Sequence, residues 1–584
     1  MKKRIAVLKK EYCNPVGCGD YLCVKLCPMN RAGKECIVKG EDSKPQINEI
    51  ICTGCGICPN RCPFHAISII NLPSELNQEP IHRFGPNGFA LYSLPTPIFG
   101  KVVGIVGVNG IGKSTAIKIL AGELKPNFGR DESASYDELI EFFKGTEAQK
   151  FFEKVKAGEI KVGYKPQAVD QIPKIFEGTV KELLQKADEK NMFEEIAKKL
   201  DLVRVIDRDV KHLSGGELQR VAIAATVLKK ANLYIFDEPT SYLDIKQRIK
   251  LSKFIQELAD EETAVLVIEH DLIILDHMTD LTHIMYGLEG VYGIVSMPRT
   301  TRVGINMYLD GYIKEENIRF RDHRIKFDTQ PIEREESDIV MSSWSSVEKK
   351  LGNFSLKAEP GEVKKRDVIG ILGENGIGKT SFVRILSKEI EPDSGEINEK
   401  IKIAYKPQHL KGGDELVSVV LQTAIQKFEN QLIIPLGIKP LLFKKLNQLS
   451  GGELQRVSIA QCLSQDADLF LLDEPSAYLD VEQRLRVSKI MADLMEVSGK
   501  SCLVVDHDLL FIDYLSKKLI VFDGEPAISG VVKGPFSMED GMNLFLNDLN
   551  ITMRRDEESS RPRVNKLDSR KDREQKSGNK LYYV

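Results

Sequence analysis

Two nine-residue stretches, "GVNGIGKST" at Gly107–Thr115 and "GENGIGKTS" at Gly373–Ser381, place glycines, one lysine and two hydroxyls in the order that grips a phosphate chain. Glycines leave backbone N–H groups unobstructed at the start of a helix, and the lysine adds a point charge at the outer phosphates. In the first stretch Gly107, Asn109, Gly110 and Gly112 shape the loop, Lys113 carries the charge, and Ser114 and Thr115 follow. In the second the same places are held by Gly373, Asn375, Gly376, Gly378, Lys379, Thr380 and Ser381. Ser114 and Thr380 offer a hydroxyl to Mg2+. Four more motifs follow each loop in one order: "YKPQ" with Gln167 or Gln408, "LSGGELQRV", "DEP", and a His-Asp pair. The chain is therefore an internal duplication of one phosphate-handling engine.

The remaining motifs divide the chemistry. The apolar runs "LYIFDE" and "LFLLDE" read as buried parallel strands, with Asp237 and Asp473, next to Gln167 and Gln408, on the metal side. Glu238 and Glu474 come next and would orient or deprotonate an attacking water. His270 and His507 follow the strands "AVLVIEH" and "CLVVDH", where the imidazole would meet the terminal phosphate. Ser214 with Gly216, and Ser450 with Gly452, open a helix whose first N–H groups form a second anion site. Together these motifs resemble the ATP-binding cassette (ABC) family over most of residues 80 to 530. The resemblance implies two ATP molecules sandwiched between cassettes, one by Lys113 with Ser450 and Gly452, the other by Lys379 with Ser214 and Gly216.

A third kind of chemistry precedes the engines. Nine of the eleven cysteines fall between Cys13 and Cys62, in runs spaced C-x4-C-x4-C-x3-C-P and C-x2-C-x2-C-x3-C-P. In a reducing compartment such crowding points to metal rather than to disulfides. The second run has the bacterial ferredoxin spacing, in which the fourth cysteine serves the other cluster. Crossing the ligands gives one [4Fe-4S] cluster on Cys13, Cys18, Cys23 and Cys62, a second on Cys52, Cys55, Cys58 and Cys27, and leaves Cys36 over. Zinc competes for paired cysteines. No dinucleotide or haem motif offers an electron acceptor, so the clusters read as staples of a domain too small for a sufficient core. Cys462 and Cys502 lie in apolar runs and read as buried fillers.

Elements must hold these groups in place. The chain has 584 residues, 42% of them hydrophobic, enough for three or four cores. No run of about twenty apolar residues spans a membrane, the N-terminus lacks a secretory core, and the net charge of -3 gives no global sign of nucleic-acid binding. From Lys113 to Gln167 is 54 positions but from Lys379 to Gln408 only 29, so the first copy carries about 25 extra residues. Tyr136, Leu139, Ile140 and Phe143, then Phe151, Phe152 and Val155, stripe two helices around Gly145-Thr146, and the stripe is expected to pack the hairpin on itself. A shared G-[IM]-N-x-[YF]-L at Gly304 and Gly541 marks matching hinge elements. From Ile551 to Val584 ten Lys/Arg face six Asp/Glu, a basic patch or a solvated tail. Phe84, Phe89 and Tyr92 are the candidates for stacking on adenine.

The whole order resembles the ABC-type ribosome recycling factor, or RNase L inhibitor, family, through "CTGCGICPNRCPFHAISIINLP", "RTTRVGINMYLDGY" and "ITMRRDEESSRPRVNKLDS". The implied fold class is α/β: two ABC-type P-loop ATPase domains in tandem, preceded by a small α+β ferredoxin-like domain with two [4Fe-4S] clusters. Expected borders are 1–75 for the iron-sulfur domain and 76–295 for the first cassette, with its insertion at about 134–158. A hinge at 296–330, the second cassette at 331–533, and a second hinge with basic tail at 534–584 complete the chain. The resemblance implies a cytoplasmic, monomeric, Mg2+-dependent ATPase that splits ribosomes and remains on the small subunit, with a release factor or its rescue homologue as partner and no membrane. Alternative classes are the ATPase pair of a transporter and an ATP-gated redox protein.

Overall fold

The computed structural model describes every residue except 1–3, 9, 41–42, 49–50, 72–78, 86, 326, 328–336, 400–401, 409–411 and 583–584, so the expected borders at 75/76 and 330/331 lie outside the described residues. Five-residue apolar runs make the centre of each cassette. Val102–Val106, Leu233–Asp237 and Ala264–Ile268 are buried at every position, without alternation, because helices cover both faces of the sheet. The first sheet runs in the order His82–Arg83, Ala90–Leu91, Tyr292–Val295, Leu281–Leu288, Val102–Val106, Ala264–Ile268, Leu233–Asp237, Val162–Lys165. The second repeats it as Val347–Leu351, Phe354–Ala358, Ser529–Ser537, Lys518–Glu525, Val368–Leu372, Ser501–Val505, Leu469–Asp473, Ile403–Lys406. Parallel register sets Ile268 beside both Ile105 and Asp237, and Val505 beside both Ile371 and Asp473. The phosphate loop and the strand-end carboxylate therefore emerge at one edge, the carboxyl end where open α/β sheets bind ligands.

The insertion is a helical hairpin. Tyr136–Phe142 starts at Ser135, whose hydroxyl accepts from Glu138 N–H, and Glu147–Lys156 follows a turn in which Gly145 has φ 82°. Its stripe does more than pack the hairpin on itself. Phe128 of the cassette meets Phe142 at 5.1 Å, and Phe143 stacks on Phe152 at 5.4 Å. Leu139, Phe143, Phe151 and Phe152 join the core beneath the first sheet.

The C-terminal segment corrects the solvated-tail expectation. It folds as a two-stranded hairpin, Met553–Arg555 with Pro562–Val564, and a helix, Arg570–Ser577. Arg561 is 0% exposed, its guanidinium 3.0 Å from Asp276 of the first cassette, and Arg563 pairs with the same carboxylate. Asp556 collects Arg302 at 2.8 Å and Asn306 at 3.0 Å from the first hinge helix, Thr301–Asp310. Asp513 stands six residues after His507, as Asp276 stands six after His270; it faces Arg555 at 3.7 Å and accepts from the Tyr582 hydroxyl. The segment thus clasps both cassettes at equivalent positions. The hinge glycines permit close packing: a Cβ on Gly541 would meet Leu519 at 2.7 Å, and one on Gly304 would meet Thr282 at 3.3 Å. One apolar cluster runs from each cassette through both hinge helices to Leu581 and Tyr582.

The N-terminal unit is α+β. Arg4–Leu8 pairs antiparallel with Ile67–Asn71, Ile37–Lys39 pairs with Pro45–Ile47, and Leu22–Leu26, Pro28–Arg31 and Ile57–Arg61 are short helices. It touches both cassettes. The Asn87 amide exchanges hydrogen bonds with the backbone of Ile47, each 2.8 Å, while Phe64 meets Phe443 edge-on at 5.9 Å and Lys444 lies 5.1 Å from the Tyr12 ring centre.

Candidate functional site

Each phosphate loop enters a helix, Lys113–Leu120 or Lys379–Leu386, through a glycine at positive φ, Gly112 at 88° and Gly378 at 97°. A Cβ on Gly112 would stand 2.4 Å from the Phe89 ring, and one on Gly378 2.9 Å from the Phe354 ring. Of the three aromatic candidates, Phe89 therefore lies against the loop, Phe84 is half exposed beside His82, and Tyr92 packs on the core. Lys113 Nζ donates to the carbonyls of Gly107 and Val108, both at 2.8 Å, and Lys379 Nζ to those of Gly373 and Glu374 at 2.8 and 2.7 Å. Burial pushes both ammonium groups down to about 8, against the pull of the carboxylates around them. Ser114 Oγ faces Asp237 Oδ2 at 3.3 Å and Thr380 Oγ1 faces Asp473 Oδ2 at 2.7 Å, a hydroxyl and a carboxylate opposed as ligands of a hard cation. Thr115 and Ser381 lie one residue further along the same helices.

Glu238 and Glu474 both sit at φ 47°, a left-handed conformation that a non-glycine residue keeps only when its surroundings enforce it. The enforcement is visible. Glu238 N–H donates to Ile268 O at 3.0 Å, while Gln219 Nε2 donates to Glu238 O at 2.8 Å and Lys165 Nζ to Asp237 O at 2.8 Å. Val505, Gln455 and Lys406 repeat this around Glu474. The carboxylates receive Gln167 Nε2 at 2.7 Å and Gln408 Nε2 at 2.6 Å, so the two glutamines expected on the metal lie on the glutamates. His270 Nε2 stands 3.4 Å from Glu238 and His507 Nε2 3.6 Å from Glu474, near each carboxylate but without a hydrogen bond to it. Burial lowers both imidazoles. It would also raise both carboxyls, and at Glu474 it prevails. At Glu238 the His270 imidazole, the Gln167 amide and the Lys113 charge overcome it and hold the group down to about 2.

Each site is completed across the cassette boundary. Asn109 N–H donates to Asp480 Oδ2 of the second cassette at 3.3 Å, and Asn375 N–H to Asp244 Oδ2 of the first at 2.9 Å. The segments carrying these aspartates also abut the signature helices: a Cβ on Gly216 would meet Tyr242 O, and one on Gly452 Tyr478 O, each at 2.9 Å. Loop, aspartate and signature helix are thus joined head to tail. Ser214 and Ser450 cap their helices in reciprocal bonds with Glu217 and Glu453. Glu453 pairs with Lys444 at 3.1 Å, largely buried, whereas Glu217 pairs with the exposed Arg208 at 3.3 Å. Sequence reasoning passed over Asp244, Asp480, Lys165 and Lys406, although "YLD" and "YKP" recur in both copies and gave the signal.

The cysteines ring two partly open pockets. Cys13, Cys18, Cys23, Cys62 and Cys58 line the first; Cys27, Cys52, Cys55, Cys58 and Cys36 line the second. Burial pushes the Cys23 thiol up to about 11 and the Cys58 thiol to about 12. Among the described residues no three His, Cys, Asp or Glu side chains converge on a single metal ion.

Comparison with known proteins gives the same division. A family profile described as ABC transporter matches residues 99–241 and 351–477. An uncharacterized ABC transporter ATP-binding protein of Methanocaldococcus jannaschii is 49% identical over 100% of this chain and 98% of its own. The translation initiation factor RLI1 of Saccharomyces cerevisiae is 42% identical, again over 100% and 98%. A solved structure of ribosome-bound archaeal Pelota and ABCE1 superposes with a TM-score of 0.94 at 51% identity, covering 100% of this chain and 99% of the other.

Proposed function

Because this chain belongs to the ABC-type ribosome recycling factor, or RNase L inhibitor, family, we propose that it is an ATPase that splits ribosomes after termination or rescue and remains on the small subunit. The observation that carries this reading is the N-terminal unit set across both cassettes, on Asn87 of one and on Phe443 and Lys444 of the other, so that any change in their separation must displace it. Partners are the ribosome and a release factor or its rescue homologue, as in the complex with Pelota, and the site of action is the cytoplasm. The protein acts as a monomer, since both halves of each nucleotide site come from one chain.

Lys113 and Lys379 neutralise the outer phosphates. Ser450 and Gly452 close on the nucleotide held by Lys113, and Ser214 and Gly216 on that held by Lys379. Glu238 and Glu474 accept a proton from the attacking water, and His270 and His507 bridge from carboxylate to terminal phosphate. Ser114 with Asp237, and Thr380 with Asp473, would hold Mg2+, with Gln167 and Gln408 as further ligands, and the ion would supply positive charge at the outer phosphates.

The N-terminal unit is ferredoxin-like, and its donors fit two [4Fe-4S] clusters. A zinc ion would draw four sulfurs to within about 4 Å of one another, whereas these cysteines stand around open cavities without converging. Cys13, Cys18, Cys23 and Cys62 would hold one cluster, and Cys27, Cys52, Cys55 and Cys58 the other. Bound clusters supply cross-links that make a small unit rigid. The hairpin 134–158 and the exposed cations Arg570 and Lys571 meet ribosomal RNA through phosphates.

The test is a sucrose gradient of ribosomal subunits with the protein and a non-hydrolysable ATP analogue. Comigration with the small-subunit peak supports the reading; retention at the top of the gradient, with analogue bound, refutes it.

A further inference from the structure

Glu269 is a buried carboxylate set between the strand Ala264–Ile268 and His270. Its two oxygens join separate segments of the first cassette. Oε1 accepts the Thr240 N–H at 3.0 Å and the Thr240 hydroxyl at 2.6 Å, while Oε2 accepts the His270 N–H at 3.1 Å. Thr240 stands two residues after Glu238, and the hydroxyl of its neighbour Ser241 donates to Glu238 Oε2 at 3.2 Å. The second cassette makes the same tie with a shorter acid. Asp506 Oδ2 accepts the Ser476 N–H at 2.9 Å, and its Oδ1 accepts the Ser476 hydroxyl at 2.7 Å and the Asp508 N–H at 2.9 Å. Ser476 stands two residues after Glu474, and Asp508 directly follows His507. Each buried acid thus gathers three donors, which suits an ionised, acceptor-only carboxylate.

We propose that Glu269 and Asp506 are positioning residues for hydrolysis, each tying the turn that carries the water-activating glutamate to the segment that carries the histidine. The inference rests on the ATPase reading of Glu238, Glu474, His270 and His507 above. Glu238 and Glu474 hold a left-handed backbone at φ 47°, and such a conformation lasts only while its neighbours are fixed on both sides. The N–H bonds to Ile268 O and Val505 O fix the near side; the tie through Thr240 or Ser476 fixes the far side. The tie also sets the spacing of the reacting pair, because the glutamate and the histidine lie on different strand ends and each tie joins those two ends directly. Neither Glu269 nor Asp506 takes a proton from water in this scheme. A carboxylate can serve all three donors, whereas an amide of the same size has one oxygen and brings two donors of its own toward the N–H groups it should receive.

The experiment uses full-length protein in which Glu474→Gln silences the second site, and it measures single-turnover ATP hydrolysis, ATP affinity and the thermal melting temperature on the same samples. A parent that binds ATP without hydrolysing it would overturn the ATPase reading itself, and this is visible before any change at Glu269. Glu269→Gln should slow hydrolysis by roughly 10- to 100-fold, as a small misplacement of reacting groups does, with ATP affinity and melting temperature nearly unchanged. Glu269→Asp should recover most of the rate, since the second cassette makes its tie with an aspartate. A role in packing alone predicts the opposite order, because Gln preserves volume and Asp does not; Glu269→Gln at the parent rate, or faster than Glu269→Asp, overturns the proposal. So does a rate loss matched by loss of ATP affinity or of melting temperature. Should Glu269→Gln fail to fold, Thr240→Val decides: it removes only the hydroxyl donor and should also slow hydrolysis at unchanged affinity, and the parent rate overturns the proposal. With Glu238→Gln silencing the first site, Asp506→Glu should likewise outpace Asp506→Asn, and the reverse order overturns the tie there.

Discussion

The two cassettes share a strand order, five motifs and a strained glutamate, yet they are not equivalent. The first adds a helical hairpin to its core, and its Glu238 lies 3.4 Å from an imidazole; the second keeps the shorter connection, and its Glu474 lies 3.6 Å from one. The second wires its signature helix to the N-terminal unit, through Glu453, Lys444 and Tyr12. Motif identity thus fixes what reaction a site can run, whereas the contacts around the motif fix how each site is tuned.

The largest expected effect treats the two sites alike. Glu238→Gln or Glu474→Gln should slow hydrolysis at its own site by roughly 10²- to 10⁴-fold, with ATP binding retained; single-turnover assays resolve each, and unchanged turnover in both would remove the glutamates from the reaction. Next comes the clasp. Asp276→Asn leaves two buried guanidinium groups short of their carboxylate and should cost about 3–5 kcal/mol, while Asp513→Asn, whose ion pair is 3.7 Å long, should cost clearly less. Denaturant melts of the two variants give the ranking, and the reverse order would break the account of the clasp.

Acid sensitivity should separate the glutamates further. A base works only when ionised, and Glu474 is raised where Glu238 is held to about 2. With Glu238→Gln silencing the first site, the acid limb of kcat/KM should lie at higher pH than with Glu474→Gln; coincident limbs would erase the distinction. The smallest effect concerns the signature helices. Lys444→Met removes a largely buried partner of Glu453 and should destabilise its cassette more than Arg208→Met, which removes an exposed pair worth about 0–1 kcal/mol.

Much of this was legible before any coordinates. The loops, strand-end carboxylates and histidines announce themselves because they recur in order, and the insertion appears as a difference in spacing. What composition hides is the distant partner. Arg561 and Arg563 read as solvated cations because Asp276, some 285 positions away, cannot be seen from the tail itself. The hairpin stripe was visible, but not that Phe142 would reach Phe128 of the cassette. Asp244 and Asp480 lay inside a repeated "YLD", and only the facing cassette shows that they receive the N–H groups of Asn375 and Asn109. Sequence patterns encode local chemistry; contacts across long loops are set by which surfaces fold toward each other.

The clasp has a consequence for how the protein is made. A chain leaves its exit tunnel in order, and at about 5–20 residues per second the stretch from Asp276 to Arg561 takes roughly 15 to 60 s to synthesise. During that interval the first cassette can fold its sheet, but Asp276 has no arginine, and the first hinge helix has no Asp556 to hold Arg302 and Asn306. Each new molecule therefore passes through a stage with a folded engine and an unfastened hinge, and it becomes a two-lobed machine only when Asp556, Arg561 and Arg563 dock.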